Sequence, residues 1–144
     1  MILLDTSVLS RIFRRKRPGA EERRLQAVFH ELMASDVPLG LPGIVLQEVL
    51  SGIRSPRPFT DLAAKLLSAF SVLPAGVPEH VEAARVKNAC LGKGVNVSGV
   101  DCLIAACAIV GNHELFAVDE DFEAIGRHAP LRLYSGATST RGRP

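Results

Sequence analysis

Three apolar stretches of this chain run directly into an aspartate. Met1–Leu4 ends in Asp5, Leu115–Val118 ends in Asp119, and between Gly94 and His113 the only Asp, Glu, Lys or Arg is Asp101. A carboxylate among apolar groups is costly unless it is paired, hydrogen-bonded or bound to a metal. Asp121 adds a further acid two residues after Asp119, and Glu48 lies beside the apolar stripe of Ile44–Ile53. Several carboxylates brought together cannot all stay ionised without a counter-charge. Mg²⁺ or Mn²⁺ would supply it, because hard divalent cations select oxygen ligands and keep coordination positions open for phosphate oxygens. The chemistry this pattern suggests is metal-assisted work on a phosphate-bearing ligand.

Each acid also has a purely structural reading. Asp5 and either Asp119 or Asp121 stand where a helix N-cap is expected, accepting backbone N–H bonds. Ser98 followed by Asp101 has the spacing of a capping box, and a carboxylate in a first turn suits the helix dipole. Glu48 reads equally as a boundary residue whose stem reaches water. The metal reading gains from their joint arrangement: Asp5, Asp101 and Asp119 or Asp121 would share one end of a parallel sheet, with Glu48 leaning in from a neighbouring helix.

The elements needed to position them alternate along the chain, which predicts an α/β fold with a mostly parallel sheet flanked by helices. Strands are expected at 2–4, 38–41, 71–73, 115–118 and 131–134. Helices are expected at about 7–16, 21–34, 42–53, 59–69, 78–91, 98–110 and 122–127, with Ser55–Pro58 as a break and Pro42 in a helical first turn. Residues 1–134 read as one domain and 135–144 as a flexible polar and basic tail.

With 47% hydrophobic residues and a net charge of +2, the chain is globular, and too mildly basic for charge alone to imply nucleic-acid binding. The basic residues are unevenly placed, however. Arg11, Arg14, Arg15 and Lys16 crowd one short region, where they suit a polyanionic substrate or else form a solvated helical face. Six Phe, one Tyr and no Trp argue for backbone and shape recognition over base stacking. Cys90, Cys102 and Cys107 form no CxxC pair and suit a reducing cytoplasm. The four histidines lack zinc-ligand spacing. Neither a secretory signal nor a membrane span is expected. Dinucleotide and P-loop fingerprints are absent, and Asp5-Thr6-Ser7 lacks the second aspartate of a haloacid-dehalogenase-like phosphatase.

The chain resembles the PIN-domain ribonucleases, particularly the VapC-like toxins of toxin–antitoxin pairs. The likeness rests on Leu4-Asp5-Thr6-Ser7-Val8-Leu9, on Leu46–Gly52 around Glu48, on Asp101-Cys102-Leu103-Ile104-Ala105-Ala106, and on Asp119–Ile125. These four motifs stand in the family's order across about the first 134 residues. The resemblance implies a PIN fold, Mg²⁺- or Mn²⁺-dependent endoribonuclease activity, a homodimer, and a cognate antitoxin that blocks the acidic pocket. It makes Asp5, Glu48 and Asp101 metal-site acids, with the fourth at Asp119 or Asp121, and lets a hydroxyl of Thr6 or Ser7 assist. Two positions depart from the pattern: Ala117 replaces a frequent threonine, and Gly99 replaces a frequent accessory acid. The alternative is a PIN-like binding module whose acids are caps or a dock for a basic partner.

Overall fold

The computed structural model describes residues 1–13, 17, 19–134 and 136. Five strands form one sheet: β1 (Ile2–Leu4), β2 (Leu39–Pro42), β3 (Ser71–Leu73), β4 (Glu114–Phe116) and β5 (Arg132–Leu133), in the spatial order β3-β2-β1-β4-β5. All four pairings are parallel, with Ile2 opposite both Leu39 and Glu114. Parallel strands are covered on both faces, which is why β1 is a short, wholly apolar and wholly buried run.

The described helices are α1 (Thr6–Phe13), α2 (Ala20–Ala34), α3 (Gly43–Leu50), α4 (Pro56–Ala69), α5 (Val77–Leu91), α6 (Gly99–Val110) and α7 (Glu120–His128). The most apolar of them is α6. Its Cys102, Ile104, Ala105, Ala106, Cys107 and Ala108 are buried, and α5 packs along it. Leu3, Leu4, Leu41, Leu115 and Phe116 carry the strand contribution to the same continuous core.

The chain builds the sheet outward from β1 through β2 to β3. It then crosses to the opposite side of β1 and lays down β4 and β5. In an open α/β sheet, the crevice outside the strand carboxyl ends, where the direction of winding reverses, is the usual ligand site. Here that crevice lies between the ends of β1 and β4, which lead into Asp5 and Asp119.

The expected α/β order is present, with local corrections. Ser55–Pro58 opens α4 instead of breaking the chain. Proline is tolerated there because first-turn N–H groups have no intrahelical partner. Pro42 closes β2 and precedes α3, rather than lying in its first turn. α3 stops at Leu50, short of Ile53, and Gly52 follows with φ +89°. β4 ends at Phe116, so Ala117 and Val118 belong to the turn after it. Residues 14–16 of the expected first helix, and the expected tail apart from Gly136, lie outside the described residues.

Candidate metal centre

Asp5 continues β1 by one residue. Its N–H donates to the Phe116 carbonyl at 3.0 Å, tying the ends of β1 and β4 together, and its carbonyl accepts from Val8 and Leu9 as α1 begins. The side chain turns back, and Oδ2 accepts the Ser7 N–H at 3.0 Å. With 3% exposure, Asp5 is the only buried charged residue among those described. Burial raises its pKa above the ordinary value. Hydrogen bonds from the Ser7 hydroxyl and from the Ser7 and Thr6 backbone oppose the shift, and nearby Glu48 adds to it.

Glu48 reaches the site from α3. Its Oε1 accepts the Thr6 hydroxyl at 2.8 Å, so a residue adjacent to Asp5 fixes the direction of an acid 42 positions away. Ser7 makes the complementary link. Its Oγ accepts the Val118 N–H at 3.1 Å, holding the turn that carries Asp119 against the start of α1.

Asp101 occupies the first turn of α6, where the Ser98 hydroxyl accepts its N–H at 3.0 Å. Its pKa is raised to about 6, first by burial, then by the negative charges of Asp5, Asp119 and Asp121, against a lowering hydrogen bond from Ser98. Asp119 caps α7, its Oδ1 accepting the Asp121 N–H at 3.0 Å. One carboxylate oxygen each from Asp101, Asp119 and Asp121 lie within 4.8 Å of one another. Asp5 and Glu48 are not in that group. Asp5 is nonetheless close enough to repel Asp101, and Glu48 close enough to repel Asp5.

The donor set is entirely carboxylate oxygen, which fits Mg²⁺ or Mn²⁺ and not a thiolate- or imidazole-seeking metal. Burial lifts Asp101 most, and the repulsion that adds to it is what a bound dication would relieve. The structural roles coexist with this geometry: Asp5, Ser98 and Asp119 all accept from helix-start N–H groups while their elements converge. Helix N-termini favour negative charge, so capping and gathering acids are compatible.

A cleft of about 600 Å³ opens beside the cluster, lined by Ser7, Arg11, Glu21, Leu25, Val118, Asp119, Glu120 and Asp121. Arg11, singled out from sequence, is therefore at the site's edge. Arg14, Arg15 and Lys16 lie outside the described residues. Glu21 was not anticipated, and Glu120 was not singled out as a site residue. Glu120 adjoins two flagged acids and was within reach of sequence reasoning, whereas nothing in the sequence near Glu21 connects it to the cleft.

The profile of one family, described as the PIN domain, matches residues 2–128. The chain belongs to the PIN-domain family. Among solved structures, this PIN domain is similar to FitAcB from Neisseria gonorrhoeae, with TM-score 0.75 and 22% identity, covering 94% of this chain and 98% of that one. It is also similar to VapBC2 from Rickettsia felis, solved with a DNA fragment from their promoter (TM-score 0.72, 21% identity, 93% and 98% coverage). A third is VapC20 of Mycobacterium tuberculosis, described as a Sarcin-Ricin loop cleaving toxin (TM-score 0.67, 20% identity, 92% and 99% coverage). At these identities the likeness concerns the fold.

Proposed function

We propose that this PIN domain is a Mg²⁺- or Mn²⁺-dependent endoribonuclease acting as the toxin of a toxin–antitoxin pair. The observation that carries the reading is the meeting of Asp101, Asp119 and Asp121 within ligand distance, beside buried Asp5 at the sheet's switch point. Asp5, Asp101, Asp119 and Asp121 would hold the metal. When bound, it supplies Lewis acidity toward water and phosphate oxygen and neutralises developing negative charge.

The remaining work falls to the chain's own side chains. Thr6 holds one oxygen of Glu48, and the reading gives the second oxygen the task of orienting the attacking water. Ser7 keeps the Val118–Asp121 turn in register with Asp5. Arg11, at the cleft wall, would engage a phosphate beyond the scissile bond; a role for Arg14, Arg15 and Lys16 in RNA binding is proposed from their charge in the sequence alone. RNA is favoured as substrate by likeness to a toxin described as cleaving the Sarcin-Ricin loop. A cognate antitoxin and a homodimer are proposed on the family resemblance. A cytoplasmic location suits three free cysteines, and no described helix is long and apolar enough to cross a membrane.

One observation favours a second reading, in which the domain binds without cutting: Asp5 and Asp119 already accept backbone N–H bonds. Incubating a mixed RNA pool with Mn²⁺ and either wild type or Asp101→Asn separates the two. Cutting by the wild type alone supports the nuclease. Equal cutting, or none by either, counts against it.

A further inference from the structure

The loop between α5 and α6 decides where α6 begins, and hence where Asp101 stands. At its α5 end the loop is secured by backbone: the Lys93 and Val95 N–H groups reach the Cys90 carbonyl, Gly94 N–H reaches Leu91, and Gly94 itself takes φ +73°. At the α6 end the anchor is a side chain. Lys87 Nζ donates to Asn96 Oδ1 at 2.9 Å and to the Val97 carbonyl. Val97 is buried, and the next residue is Ser98, whose hydroxyl accepts the Asp101 N–H.

Lysine suits this task because an ammonium offers three donors and no acceptor, so one group can tie a side-chain amide and a peptide carbonyl together. Both partners are neutral oxygens, and hydrogen bonds from a charged donor are about twice as strong as neutral ones. Lys87 is half-buried and follows buried Val86 in α5.

We propose that Lys87 is a positioning residue for the metal centre: by clamping Asn96 and Val97 it sets the start of α6 and so aims Asp101 at Asp119 and Asp121. This inference rests on the metal-site reading. The geometric reason is the intolerance of a small dication: Mg²⁺ demands near-ideal octahedral ligands at about 2.0–2.1 Å. Outer-shell groups that orient ligands typically govern about 10–100-fold in metal affinity.

The test is a Mn²⁺ titration of the intact protein by calorimetry, at a temperature where every variant is fully folded. Lys87→Met, which keeps the stem and removes the donors, should weaken Mn²⁺ binding by about tenfold or more. Asn96→Ala removes one acceptor from an exposed side chain and should weaken it by a smaller factor, which keeps the test open if Lys87→Met does not fold. Lys93→Met, on the same loop but outside the clamp, should match wild type. Wild-type affinity in both Lys87→Met and Asn96→Ala would overturn the clamp while leaving the metal site standing. A wild-type protein that binds no Mn²⁺ would overturn the metal reading and this inference with it.

Discussion

The two ends of the sheet are built from the same five strands and have opposite chemistry. At the carboxyl end, β1 and β4 run into helix starts, and Asp5, Asp101, Asp119 and Asp121 gather there. At the amino end, helices finish. Leu32 and Met33 of α2, Leu67 and Ser68 of α4, and Val37, Pro38, Leu39, Phe70 and Ser71 line a groove of about 470 Å³ that mixes apolar side chains with polar edges and holds no carboxylate. One polar contact at that end reverses the sign of the other: Arg132 donates to the carbonyl and Oδ1 of Asn112 just past the end of α6. Helix N-termini present free N–H groups and partial positive charge, whereas C-termini present carbonyls. The carboxyl end of a parallel α/β sheet therefore favours acids at its helix starts before any function is considered. What sets this carboxyl end apart from ordinary capping is burial of Asp5 and convergence of three further carboxylates, which capping does not require.

That contrast predicts separable defects. Phe70→Ala at the amino end, where Phe70 is 6% exposed and its ring lies 6.2 Å from that of Phe29, should cost about 3–5 kcal/mol of stability. Specific cleavage per folded molecule should be unchanged. Denaturant melts paired with activity at low temperature check this, and a matching fall in activity would mean the two ends are not independent. Asp101→Asn should do the reverse, cutting cleavage by more than about a hundredfold, since a catalytic metal contributes several kcal/mol. Single-turnover rates read it, and a folded variant of near wild-type rate would remove the catalytic role.

The combined effect of burial and charge repulsion on Asp101 is measurable without metal. Asp101 titrates at about 6 against an ordinary value of 3.8, so the folded state holds the proton more tightly. The stability associated with that proton is fully present below about pH 4 and is lost as pH rises through about 6, with buried Asp5 adding the same sign. Asp101→Asn should flatten this fall in a pH series of metal-free melting temperatures. Identical slopes would place the repulsion elsewhere. With Mn²⁺ present the trend inverts, because the metal displaces protons, and affinity should climb across pH 6.

Smaller effects sharpen the picture at the site's edge. Arg11→Ala should reduce the slope of log affinity against log salt by about 1 for non-cleaved RNA, measured by fluorescence titration. An unaltered slope would remove Arg11 from the phosphate track. Thr6→Val deletes the donor to Glu48 and should cost about 0.5–1.5 kcal/mol in a denaturant melt. A neutral result would mean that Glu48 reorients to water without penalty.

Much of this was legible in the sequence because its signals are local. Apolar runs ending in single acids, Ser98 three residues before Asp101, and alternating strand and helix periodicity mark elements and caps within a few residues. Pro56 misled because the same residue that breaks a helix interior also starts one. The long-range links were not legible. Thr6–Glu48 and Ser7–Val118 span 42 and 111 positions, and they exist only because β1 lies between β2 and β4. Glu21 meets the cleft through α2, which no local pattern relates to α7. Lys87 likewise looks like any helix-surface lysine until the loop folds beneath it.

The most direct test of the central claim is anomalous diffraction from crystals soaked in Mn²⁺ near neutral pH. The account predicts a peak coordinated by Asp101 together with Asp119, Asp121 or both, which would also settle their relative roles. No peak at the cluster, with the carboxylates ordered and accessible, would contradict it and leave these acids as helix caps.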